Sequence, residues 1–171
     1  MCHSISRSPG TSSSLVRSMN TEAPRAPLSY TSTAGFPELH MSRVINADFD
    51  TAADRLFRWG VQRSGLFRVH PTHEVVETGA EVALGCGPWT FRCRVVDAFA
   101  EPGRCGFTYG TLPGHLERGE ETFTLERLHD GRVLFLVDAK SQPARFPALR
   151  RLIDLPRRAL IRRFYLRALD D

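Results

Sequence analysis

The stretch Gly106-Phe-Thr-Tyr-Gly-Thr-Leu-Pro-Gly-His-Leu-Glu-Arg-Gly-Glu-Glu-Thr-Phe123 constrains the fold more than any other part of this chain. Phe107 and Tyr109 alternate with small residues before it turns, and Glu121 and Phe123 alternate with threonines and acids after it. Side chains of a strand point to opposite faces in turn, so this pattern reads as two strands joined by a Gly/Pro-rich connection. The connection is expected to run from Thr111 to Gly119, stiffened by Pro113. Hairpin loops ordinarily take about two to five residues, and longer ones tend to be functional. His115, Glu117, Glu120 and Glu121 crowd this turn, which makes it the expected functional site.

The same period recurs around it. Strands are expected at 40–46, 66–70, 73–77, 80–86, 89–98, 104–110, 120–128 and 132–140. Trp89, Phe91, Cys93 and Val95 share one face of their strand, and Arg92 and Arg94 the other. Val133, Phe135 and Val137 repeat the pattern. One face of an antiparallel sheet is thus covered and the other is largely wet. Asp48 or Asp50 can cap a helix running to about Ser64, with Phe49, Ala53, Leu56, Phe57 and Gly60 on its buried stripe. A second, long helix is expected from Phe146 to Ala168, with Pro147 in its first turn and Pro156 breaking or kinking it. The fold class is α+β: a curved antiparallel sheet wrapped on a long C-terminal helix.

Residues 1–35 are rich in Ser, Thr and Pro and poor in large apolar groups, so they are expected to form a disordered tail before a single domain over 36–171. The chain has 171 residues, enough for one core. No apolar run reaches the roughly 18–20 residues needed to span a bilayer. The start also lacks the apolar segment of about 7–15 residues that marks a secretory signal. The four cysteines, at 2, 86, 93 and 105, form no Cys-x-x-Cys pair and read as reduced thiols of a cytoplasmic protein. Residues 145–171 hold eight Arg and three Asp, so the basic charge belongs to the C-terminal segment. Arg150, Arg151, Arg157, Arg158, Arg162, Arg163 and Arg167 could face nucleic acid or an anionic membrane. Without an aromatic platform or a DNA-binding pattern beside them, a solvated helix face is the expected reading.

The order strand, helix, antiparallel strands, long helix resembles the helix-grip fold of START-like lipid- and hormone-binding proteins. Specific residues also resemble the bacterial and plant family catalogued as domain of unknown function nineteen-ninety. They are Gly106-Phe107, Tyr109 through His115 and Glu117 through Glu121, with Trp59, Arg63 and Gly65-Leu66 before them. Ser141, Pro143-Ala144, Tyr165-Leu166 and Ala168-Leu169 follow. Leu116 stands where the family pattern has proline, and the family's N-terminal tyrosine-and-glycine motif survives loosely at Tyr30 and Gly35. The resemblance implies a fold and a site and names no reaction.

Strand parity turns Tyr109 and Glu121 inward from paired strands. A carboxylate out of water, beside a phenol, can hold a ligand or act as acid or base. The plain alternative is a buried Tyr–Glu hydrogen bond, or Glu121 reaching Arg63. His115 can be structural, can contact a ligand or carry a proton, or can share a metal with Glu117 if a third ligand exists. The catalytic candidates are His115, Glu121 and Tyr109. The wider set of candidate ligand contacts adds Trp59, Arg63, Trp89 and Phe107 to Thr111, Glu117 and Glu120. Trp89 is placed on the inward face, and Arg63 either neutralises its helix end or bridges the loop acids. No cofactor or metal is expected. Three readings result: a binder of a small, largely apolar molecule in an internal cavity; an acid–base hydrolase or isomerase using the same pocket; or an anion-binding module acting through the Arg-rich helix.

Overall fold

The computed structural model describes residues 25–65, 67–145 and 150–170. In chain order the elements are β1 (Glu38–Ile45), α1 (Phe49–Phe57), α2 (Gly60–Arg63), β2 (Arg68–Pro71), β3 (Glu81–Cys86), β4 (Trp89–Glu101), β5 (Arg104–Thr111), β6 (Glu117–Arg127), β7 (Val133–Pro143) and α3 (Arg150–Arg163). A 3₁₀ turn at Tyr165–Arg167 follows α3. The strands form one seven-stranded sheet in the order β1-β7-β6-β5-β4-β3-β2. Every pairing is antiparallel. The first two strands lie at opposite edges, so α1 and α2 carry the chain across the sheet.

Alternation decides which face is buried. Val82, Leu84, Cys93, Val95, Phe107, Phe123, Leu125, Phe135 and Val137 form the inner face, packed against Phe49, Ala52 and Leu56 of α1. Ile161, Tyr165, Leu166 and Leu169 close it from the C-terminal side. At the centre, the fully buried Phe123 ring lies 5.2 Å from Phe107, 5.4 Å from Tyr109 and 5.9 Å from Tyr165.

Asp48 caps α1 by accepting from the Thr51 N–H at 3.0 Å. The expected single helix to Ser64 is instead two. Trp59 adopts φ +62°, the left-handed conformation, and ends the first before α2 begins. The burial of its ring and the bond from its indole N–H to the His73 carbonyl at 2.9 Å hold it there. That carbonyl belongs to a segment expected as a strand over 73–77. It is a bent connection whose Val76 N–H donates to Phe57 O at 2.7 Å. Its backbone bonds the helix end rather than a neighbouring strand.

The C-terminal helix is also shorter than expected. α3 continues through Pro156 and stops at Arg163, where the chain tightens into the 3₁₀ turn. Residues 146–149, including Pro147, lie outside the described residues. The chain end is clamped: Asp170 pairs with Arg43, accepts from the Asn46 N–H at 3.0 Å, and gives its carbonyl to Arg55 at 2.8 Å. Asp170→Ala should therefore lower stability by about 1–3 kcal/mol, because Arg43 of β1 and the Asn46 N–H lose a shared carboxylate acceptor, while the carbonyl that Arg55 bonds remains. Urea denaturation checks this, and an unchanged midpoint would show that the clamp is replaced by water at no cost.

The expected tail also needs correction at its end. Residues 1–24 lie outside the described residues, but 25–35 are described and dock on the domain. Ser29 N–H donates to Thr111 O at 2.9 Å, and Tyr30 Oη donates to Glu120 Oε1 at 2.8 Å. Composition underrated this segment because backbone and side-chain bonds to β5 and β6 hold it without a large apolar surface.

Candidate functional site

The β5–β6 hairpin builds the site. Its connection is shorter than the sequence suggests, because β5 reaches Thr111 and β6 already begins at Glu117. Leu112-Pro113-Gly114-His115 forms a turn closed by His115 N–H to Leu112 O at 3.2 Å. Gly114 takes φ +93°, and proline then glycine at the central positions is the type II pattern. Strand pairing persists past the expected loop because Thr111 stands in for backbone partners: the Gly119 N–H donates to its Oγ1 at 3.0 Å, and the hydroxyl lies 3.3 Å from Gly119 O. Gly119 itself has φ +145° and lies so close to β7 that a Cβ would come within 2.1 Å of Lys140 O.

Tyr109 and Glu121 are direct partners in the β5–β6 register. Their side chains meet, with Tyr109 Oη donating to Glu121 Oε2 at 2.6 Å, both residues buried. Burial, then the neighbouring carboxylate charge, raises the Tyr109 phenol well above its ordinary range. The phenol is therefore a permanent hydrogen-bond donor at neutral pH. Glu117 accepts from Ser141 Oγ at 3.0 Å. The His115 ring lies 5.3 Å from that of Phe91. Its Nδ1 lies 3.0 Å from both the N–H and the carbonyl of Glu117, so a ring with bare Nδ1 accepts from the first and a ring with Nδ1–H donates to the second.

These groups border a cavity of about 470 Å³ between the sheet and the C-terminal helical segment. Tyr109, Thr111, His115, Glu117, Glu121 and Ser141 give it polar points, and Phe67, Leu84, Phe91, Leu160, Ile161 and Tyr165 its apolar surface. The sequence placed no site at these apolar residues or at Ser141. Parity could have offered Leu84 and Phe91. Leu160, Ile161 and Tyr165 reach the site only because α3 folds back over the sheet.

Of the remaining candidates, Glu120 also borders the cavity, and Trp59, Phe107, Arg63 and Trp89 do not line it. Trp59 and Phe107 are fully buried and pack edge to face at 5.7 Å in the core, without lining the cavity. Arg63 donates to Arg58 O and lies 3.7 Å from Glu74, which places it at its helix end, the first of its two readings, rather than in a bridge to the loop acids. The Glu120 carboxylate bonds Tyr30 on the face opposite Glu121, since neighbours on a strand point apart. Burial and that carboxylate raise the Tyr30 phenol. Trp89 has the inward parity expected of it, yet it is 63% exposed. Parity chooses a face, and among the described residues nothing covers this face at the start of β4.

Among the described residues no three His, Cys, Asp or Glu side chains come together as metal ligands. Cys86, Cys93 and Cys105 are free thiols. Burial pushes Cys93 up, helped by the Glu121 and Glu117 charges, and burial raises Cys105 to about 11. Neither is a ready nucleophile. Among the described residues no helix is long and apolar enough to cross a membrane.

The fold is shared with solved structures of low sequence identity. Hypothetical protein jhp0584 of Helicobacter pylori superposes with a TM-score of 0.61 at 12% identity, over 81% of this chain and 88% of that one. Protein CV1439 of Chromobacterium violaceum gives 0.52 at 13% identity, over 78% of this chain and 99% of that one. In sequence, a UPF0548 protein of Deinococcus radiodurans is 48% identical over 67 residues, and the match spans 34% of this chain and 34% of that protein. A family profile extends much further, matching residues 22–170 and taking in the whole sheet, the cavity and the docked Ser29–Tyr30 segment. The chain belongs to the family DUF1990, a domain of unknown function.

Proposed function

We propose that the protein binds one small, largely apolar molecule in the cavity between its sheet and its C-terminal helix, and that the Tyr109–Glu121 pair and His115 select the molecule's polar end. The observation that carries this reading is the cavity itself. Its volume of about 470 Å³ lies in the range of small-molecule pockets, roughly 300–1,000 Å³, and its wall is apolar with few convergent polar groups. An antiparallel sheet closed by a C-terminal helix resembles the helix-grip, START-like architecture, which supports the same reading by analogy of fold. Free thiols at Cys86, Cys93 and Cys105 fit a reducing, cytoplasmic setting.

Native mass spectrometry of protein purified from its own host tests the proposal by the mass of a retained molecule. Tyr109→Phe should weaken retention by about 1–3 kcal/mol, because Glu121 loses its donor inside the site while the ring remains. If no molecule is retained, and a neutral solvatochromic dye such as Nile red finds no saturable site, the binding reading fails.

A second reading is an acid–base enzyme in the same pocket. A buried carboxylate held at 2.6 Å by a phenol, in a cavity that also contains an imidazole, is a competent proton-transfer arrangement. Chemical change of the retained molecule on incubation, lost in Glu121→Gln, would place this reading first.

A further inference from the structure

Two large apolar side chains stand in water at the cavity mouth. Trp89 is 63% exposed and Leu116 56%. Leu116 lines the cavity directly. Trp89 is paired with Cys86 across β3 and β4, and directly paired residues share a face. Cys86 lines the cavity, so Trp89 stands on the lip above it. Each side chain has an exposed arginine close by. Arg68 Nη2 donates to Gly87 O at 3.1 Å, placing a guanidinium on the turn that carries Trp89. Arg145 follows Ala144, whose N–H donates to Leu116 O at 2.8 Å.

We propose that this rim is a docking surface for an anionic phospholipid bilayer. Trp89 and Leu116 enter the headgroup boundary, and Arg68 and Arg145 meet lipid phosphates. Three features select a membrane over a protein. Tryptophan prefers the bilayer interface, where its ring is partly solvated and its N–H stays hydrogen-bonded. The apolar groups protrude from two separate turns rather than forming a groove or a continuous face. A specific protein partner needs about 800 Å² of fitted surface per side, whereas a fluid bilayer moulds itself to isolated protrusions. Arg68 and Arg145 are exposed at these turns, while the acid next to Leu116, Glu117, is bonded to Ser141, and each arginine at an anionic surface strengthens binding by about fivefold. Leu116 is the residue this surface shares with the cavity wall; Trp89 lies outside it, so failure of vesicle binding would leave the binding proposal untouched.

The two tryptophans supply the assay. Trp59 is fully buried and bonded to His73, so an emission change on adding vesicles reports Trp89. The full chain is titrated with vesicles of phosphatidylcholine alone and with vesicles containing phosphatidylglycerol, at physiological salt. The expected result is a blue shift and co-sedimentation with the anionic vesicles only. Trp89→Ser should weaken co-sedimentation by about tenfold or more, as should Leu116→Ser, with the near-ultraviolet dichroism of Trp59 retained. Arg68→Glu combined with Arg145→Glu should abolish the preference for phosphatidylglycerol. Absence of co-sedimentation overturns the proposal. So does binding that survives loss of both apolar groups. A blue shift that depends on protein concentration and comes with a doubled solution mass also overturns it, since a second copy of the chain would then be what covers the rim.

Discussion

Gly119→Ala should destabilise the protein by roughly 2–5 kcal/mol and deform the cavity wall. The new Cβ would lie 2.1 Å from Lys140 O and 2.6 Å from Ser141 Cα, and both are backbone atoms that cannot turn aside. The residue also holds φ +145°, which an L side chain resists. Relief requires β6 and β7 to separate beside the bond between Ser141 and Glu117. Gly114→Ala is the control. Gly114 also has positive φ, at +93°, but a Cβ there would meet nothing within 4 Å. Urea denaturation of both variants separates the clash from the dihedral. Equal losses would show that backbone conformation alone sets the requirement at Gly119.

Phe123→Ala should cost about 3–5 kcal/mol, the usual range for a fully buried phenylalanine. Phe123 has no exposure and bridges Phe107, Tyr109, Phe135 and Tyr165. Those rings come from β5, β7 and the C-terminal turn, so the loss affects the floor of the site as well as the core. Thermal and urea unfolding should move together, and a bound dye should become less ordered as the neighbouring rings lose their support. A loss below about 1 kcal/mol would mean that the adjoining cavity lets the rings collapse into the gap.

Much of this architecture was legible residue by residue. Alternation at Phe107, Tyr109, Glu121, Phe123, Phe135 and Val137 specified an antiparallel sheet with one apolar face. It also paired Tyr109 with Glu121, because residues of equal parity on adjacent strands of a hairpin must share a face. Leu-Pro-Gly-His carried its turn in its own sequence. Asp48 and Asp50 announced a helix start, since a carboxylate before the first turn has free N–H groups to bond, and the structure gives the cap to Asp48.

Other features depended on contacts that no local pattern contains. Trp59 breaks the first helix because its indole finds His73 O and its ring finds Phe107, both distant along the chain. Glu120 and Glu121 look alike in sequence, but one bonds Tyr30 and the other Tyr109, on opposite faces of the same strand. Trp89 and Phe91 share a parity, yet only Phe91 lines the cavity. The period of a strand determines which way a side chain points. Whether anything lies there to cover it is settled only when Leu160, Ile161 and Tyr165 fold back across the sheet, and that closure is what creates the cavity.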